Sequence, residues 1–282
     1  MAMDQQRKKR LKPLLDKVPP GFVVDTRWLK AQGIDPKSIH DYVSRGWLER
    51  VVRGVYRRPV PEGVERVSEV SWEIALLSLQ RIMEKDVHLG GETALELAGY
   101  SHYLSLGGLA RVHFYGSVPA WLHRIPTQTK IVVHRRTLLG DDPAGIGDSS
   151  RDVQERGLAV NVWRWPIRSS SLERAILEAL DELPNKASFD NLGKIFEALT
   201  TLRPELLTTL LAQCRSVKVR RLFFVFADRY RHPWCKYVDT SKIYLGSGPR
   251  ALVKGGVLHP KYRIYVPREF VPGSEEGAGV YG

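Results

Sequence analysis

Cysteine is nearly missing from these 282 residues: there are two, Cys214 and Cys235, far apart and without a CxxC companion. That spacing argues against a disulfide framework and a cysteine-rich zinc site, and it suits a reducing compartment. No stretch approaches the roughly 18 consecutive apolar residues of a membrane-spanning helix. The opening MAMDQQRKKRLKPLLDK is basic but has no apolar segment behind it, so neither secretion nor membrane spanning is expected, and a cytoplasmic location is. There is no internal repeat, GxxxxGK[ST] and HExxH are missing, and neither Gly246 to Arg250 nor Lys254 to Gly256 matches GxGxxG, so those two runs carry no phosphate-loop or dinucleotide signature and no zinc-protease motif is present.

Acidic residues are also in short supply. Asp and Glu total 31 against 43 Lys and Arg, a formal net charge of +12, with an isoelectric point near 9.7. Such a balance favours a polyanionic partner, nucleic acid first among them. The excess is uneven: residues 1–60 hold 14 basic and six acidic side chains, a net +8. The length predicts two domains rather than one.

What is present near the amino end has a definite order. A short helix is expected from Leu11, stopped by Pro19-Pro20-Gly21, then a brief extended piece at Phe22-Val23-Val24. Asp25 or Thr26 can cap a second helix that closes at Gly33. Asp35-Pro36 opens a third, with Ile39, Tyr42 and Val43 on one face and Gly46 at its end. GWLERVVRGVYRRP at 46–59 then reads as a hairpin, Trp47 to Val52 and Val55 to Arg58, with Arg53-Gly54 at the tip. Helix, short glycine turn, helix and hairpin is the order of a winged helix-turn-helix.

Pro59, Pro61 and Gly63 mark a linker over 61–70, and a larger, mostly helical domain with a small sheet is predicted over 71–270, giving a mixed α+β protein. Helices are expected over 72–83, 92–98, 170–183 (opened by a capping box at Ser170 to Glu173), 190–202, 204–214 and 218–230. Strands are expected at Arg111 to Tyr115, Lys130 to His134 and Val160 to Trp165, with shorter ones near Ile243 to Leu245, Leu252-Val253 and Arg263 to Val266. Asp141 to Asp152 reads as a loop, and 271–282 as a disordered tail.

Four segments, VHLGGETALELAGY (87–100), SSLERAILEALDELP (170–184), VKVRRLFFVFADRYRHPW (217–234) and IYLGSGPRALVKGGVLHPKYRIYVP (243–267), occur in the order seen in one family. The chain resembles the AbiEi antitoxins of type IV toxin-antitoxin, abortive-infection systems, which also carry an N-terminal winged module; the likeness runs from about Leu11 to Pro267. It implies an autorepressor that binds inverted repeats upstream of its own operon. It also implies a C-terminal domain that counteracts a nucleotidyltransferase-like toxin encoded next door, without a stable complex between them.

Within the winged module, Lys37, Ser38, His40, Asp41 and Ser44 are the candidates for base edges, and Arg45, Arg50, Arg53, Arg57 and Arg58 for phosphates. Asp41 fits only if it accepts from a cytosine amine or orients an arginine. In the larger domain Arg220, Arg221, Arg229, His232, Arg250 and Lys254 are the candidate antitoxin surface. Gly246 to Arg250 and Lys254 to Gly256 could cradle a phosphate, or could be sheet turns. His88, Glu92, His102 and His113 invite a catalytic or metal reading, but their spacing fits no ligand pattern, so no catalytic residue, metal or cofactor is expected. Two other functions remain open: a nuclease or nucleotide-modifying enzyme delivered by the winged helix, and RNA binding through 218–231 and 250–263.

Overall fold

The computed structural model describes residues 11–60, 68–100, 110–149 and 165–273. Two compact units divide the chain, one of Met1–His88, Leu109–Arg135 and Asp148–Arg168, the other of Leu89–Gly108, Arg136–Gly147 and Ser169–Gly282. Both mix helix and strand, as the α+β expectation has it.

In the first unit, α1 (11–17) leads to β1 (Val23–Asp25), α2 (Thr26–Ala31) and α3 (Pro36–Ser44), then to β2 (Glu49–Val52) and β3 (Val55–Arg57). Both helix caps are aspartates: Asp25 accepts from the Trp28 N–H at 2.8 Å and Asp35 from the Ser38 N–H at 2.9 Å. The three strands form one antiparallel sheet in the order β1-β3-β2. Phe22, Val24, Leu29, Ile34, Ile39, Tyr42, Leu48 and Val55 are buried between helices and sheet. This is the helix-turn-helix with its wing, formed where the apolar spacing places it.

The winged module lies in the same unit as the segment that follows. α4 (Trp72–Leu77), capped by Ser71, runs on as a π-helical turn, Ser78–Ile82. Its Ser78 hydroxyl accepts from the Val23 N–H, and the second carboxylate oxygen of Asp25 accepts from Trp121 Nε1 at 2.9 Å. One aspartate therefore both caps α2 and accepts from a buried tryptophan. β4 (Val87–Leu89) and the parallel pair β5 (Arg111–Gly116) and β6 (Lys130–His134) stand in the order β6-β5-β4. Val112 and Phe114 alternate inward along β5.

The second unit is helical around one core. α5 is Gly91–Leu97; β7 (Ile146–Ser149) and β8 (Ile167–Ser170), which straddle the bounds of the two units, come before α6 (Leu172–Asp181), α7 (Phe189–Ala198), α8 (Pro204–Gln213) and α9 (Val217–Tyr230). α6 packs against α5, α7, α8 and α9. Phe196 of α7 and Phe223 and Phe226 of α9 meet Trp234 and Phe270 in an aromatic cluster at the centre of that packing. β9 (Val257–Leu258) and β10 (Tyr265–Val266) make a short antiparallel pair.

Several expectations need correction. β7 falls within 141–152, expected as a loop: the carbonyls of Asp142 and Ala144 both accept from Arg174 Nη1 at 2.8 Å, which fixes the turn that feeds the strand. Gly145, at φ +71°, sits where a Cβ would come within 3.0 Å of Arg174 Cβ, so the close approach needs glycine. No strand forms at 243–245, where the Leu245 carbonyl is taken by Arg221 Nε at 2.7 Å instead of a neighbouring strand, and none forms at 252–253. The strand expected at Val160 to Trp165 lies, but for its last residue, outside the described residues, as does the tail beyond residue 273.

The capping box at Ser170 to Glu173 is also not made. Ser171 is the cap of α6, accepting from the Arg174 N–H, and Glu173 turns to Arg203. Burial alone would raise the Glu173 pKa, but the side-chain and backbone hydrogen bonds from Arg203 outweigh it and hold the carboxyl below its ordinary value. A lowered folded pKa gives stability that is full above the unfolded value, about pH 4.3, and is lost as pH falls through the folded one. Arg203→Ala is therefore expected to lower Tm at pH 7 by about 2–4 °C, a loss of roughly 1 kcal/mol for this half-solvated pair. The gap between wild type and variant should narrow in melts at pH 3–4.

Candidate nucleic-acid interface

α3 is the element that a helix-turn-helix offers to a groove. Its cap, Asp35, takes both the Ser38 N–H and the Ser38 hydroxyl, each at 2.9 Å. Those two bonds, the backbone one first, lower the Asp35 pKa and keep the carboxylate charged. They also remove Ser38 from the candidate base-edge residues, since it is only 2% exposed and its hydroxyl is already committed. Tyr42 is buried as well, its ring 5.6 Å from that of Trp47.

The outer face of α3 carries Lys37, His40 and Ser44, with Arg45 at its C-cap, all exposed. Asp41, half-buried, pairs with Arg45 one turn on, Oδ1 to Nε at 3.1 Å. The Arg45 guanidinium also sits 5.4 Å from the Trp47 ring centroid. Of the two roles open to Asp41, orienting an arginine is the one the geometry provides.

The wing divides the remaining arginines. Arg50 on β2 and Arg53 at the tip are exposed. Gly54 completes the tight turn at φ +79°, a backbone angle that costs glycine little. Arg57 lies opposite Glu49 and donates to it from Nε at 3.2 Å and Nη2 at 2.9 Å. Arg58 donates to the carbonyls of Leu15 and Val18 and so closes the end of α1. Neither of these two is placed for phosphate: the first braces the wing and the second ties it to α1.

One neighbour of the tip carries no signal in the sequence. The Gly54 carbonyl accepts from the Thr26 N–H at 2.9 Å and its hydroxyl at 3.2 Å, which holds the start of α2 against the wing and sets exposed Arg27 beside that junction. Nothing in the local sequence ties Thr26 to Gly54; the link depends on the sheet.

In the second unit the candidate surface separates in the same way. Arg250, Lys254 and Arg229 are exposed, though Arg229 donates to the Glu269 carbonyl and lies 5.1 Å from the Phe270 ring. Arg221 is buried and donates to three carbonyls, those of Leu245, Gly248 and Arg263, so it braces the 245–263 segment instead of lining a surface. His232 is half-buried, with Nε2 2.8 Å from the Phe196 carbonyl. Arg220 is largely buried. In the first unit His113 Nδ1 and His134 Nε2 lie 2.9 Å apart in stacked rings; in the second Glu92 accepts from Asn191, and His102 lies outside the described residues. Burial pushes the Cys214 thiol up to about 11. Among the described residues no cluster of three metal-ligating side chains forms, and no helix is long and apolar enough to cross a membrane.

Two family models match the chain. One, described as a transcriptional regulator and AbiEi antitoxin of type IV toxin-antitoxin systems, covers residues 110–267; the other, the N-terminal domain of the same regulators, covers 7–106. The chain belongs to the AbiEi antitoxin family. Its fold is similar to that in the crystal structure of the RV2827C protein from Mycobacterium tuberculosis, at 19% identity and a TM-score of 0.56, over 86% of this chain and 85% of that one. No curated protein matches the sequence. The AbiEi winged module thus brings Lys37, His40, Ser44, Arg45, Arg50 and Arg53 to its exposed faces, and uses Ser38, Arg57 and Arg58 to hold itself together.

Proposed function

We propose that the winged module binds double-stranded DNA at inverted repeats in the promoter of its own operon and represses it. On this reading α3 enters the major groove with Lys37, His40 and Ser44 at base edges, and Arg45, oriented by Asp41, reaches a phosphate or a guanine. Arg50, Arg53 and Arg27 meet phosphates. The observation that carries the proposal is the exposure of Lys37, Arg45, Arg50 and Arg53 on the two elements of this motif that face a duplex. The family's description as a transcriptional regulator supports it over the enzyme alternative.

The larger domain, 71–270, would serve the antitoxin role by counteracting a nucleotidyltransferase-like toxin, with or without direct contact. The test is titration of the full chain onto a duplex carrying its own upstream region, with a scrambled duplex as control. Preference for the upstream duplex and a log K that falls linearly with log salt are expected. Equal affinity for both duplexes at every salt concentration would overturn it.

A further inference from the structure

We propose that the second unit holds a site for a nucleoside phosphate, with the phosphate taken by Arg220 and Arg250 and the base stacked on Tyr244. The site is separate from the winged module and does not depend on the DNA-binding reading.

The unusual feature is cationic charge without ion pairs. One carbonyl, that of Arg263, accepts from both Arg221 Nη1 at 2.8 Å and the Arg250 backbone N–H at 2.9 Å, which sets the Arg221 guanidinium beside the backbone of Arg250 and Arg263. Arg221 is already saturated on one side by the carbonyls of Leu245 and Gly248. Among the described residues none of Arg220, Arg221, Arg250 and Arg263 forms an ion pair. Burial first, then the charges of Arg250 and Arg263, depress the Arg221 pKa. Like charges gathered in a partly desolvated place repel, and an anion relieves that repulsion.

A second observation points the same way. Arg220, 8% exposed, has its Nε buried with no hydrogen-bond partner, a donor that a core without a ligand leaves unmet at a cost. Its guanidinium lies 6.0 Å from the Tyr244 ring centroid. Tyr244 is 68% exposed, although a tyrosine of this kind usually buries its ring. With Arg220 on one face, the other is open to a nucleobase, and arginine, tyrosine and base would stack in series. The turn between them, with positive φ at Gly246 and Gly248, adds backbone N–H groups suited to phosphate oxygens.

A nucleoside phosphate can come as a free nucleotide or as part of a single strand. The experiment uses the full chain with Arg50→Glu and Arg53→Glu, so that the wing contributes little, at about 50 mM salt. Probes are ATP and a short fluorescein-labelled single-stranded DNA. Binding of either is expected, weakened about tenfold by Tyr244→Ala and further by Arg250→Glu, both at exposed positions. Displacement of the oligonucleotide by ATP identifies a free-nucleotide site; resistance to ATP identifies a strand site. Absence of binding by both probes up to about 1 mM, or binding unaltered in both variants, would overturn the proposal.

Discussion

Glu178→Ala is expected to destabilise the chain by about 3–5 kcal/mol, enough to unfold a large share of molecules under mild denaturant. Glu178 and Arg174 are each 2% exposed and pair one helical turn apart, Oε1 to Nε at 2.9 Å. The other carboxylate oxygen accepts from the Ser170 hydroxyl at 2.8 Å and the Gly91 N–H at 3.0 Å. Removing the carboxylate strands a buried guanidinium and two buried donors at once, and each of them was desolvated to make the pair. Glu178→Gln keeps an acceptor for Ser170 and Gly91 but not the charge, so its loss should lie between that of the alanine variant and none. Urea unfolding of the three proteins measures this. If the alanine variant unfolds at the wild-type midpoint, the pair does not carry the stability assigned to it.

Reversing both exposed wing arginines, Arg50→Glu with Arg53→Glu, should reduce affinity for any duplex by about a hundredfold or more, since each lost charged contact is worth roughly a factor of ten. The slope of log K against log salt should become shallower by about two contacts' worth. Neither side chain is buried, so the melting temperature should hold and the loss be one of binding alone. Lys37→Ala makes the contrast: placed on the outer face of α3, it should change preference among sequences more than affinity for all of them. A reversed wing that binds duplexes as tightly as wild type would remove the wing from the interface.

Much of this was legible because it is local. Asp25 and Asp35 announce two helix starts, the 3–4 spacing of Ile39 and Tyr42 fixes the inner face of α3, and Arg53-Gly54 between alternating runs fixes a hairpin. The helices from 172 onward follow from the same spacing. The site was harder, because arginine reads alike in sequence whether it meets phosphate or protein. Arg57 ends the wing strand β3, Arg58 follows it, and both are as basic as Arg50, yet a carboxylate on the opposite strand claims one and the end of α1 claims the other. Arg221 likewise hides among the charges of α9, and only the path of 245–263 shows it to be a brace.

The order of elements in the winged module, its two aspartate caps and the excess of charge near the amino end were set by the chain alone, since each rests on residues within about one or two turns of one another. Which cations stay on the surface was decided by tertiary structure. Hydrogen bonds from Arg58 to Leu15 and Val18, from Arg174 to Asp142 and from Arg221 to Arg263 join residues more than thirty positions apart. Such bonds exist only after the chain has folded, because only then do backbone carbonyls and buried carboxylates stand where a guanidinium can reach them.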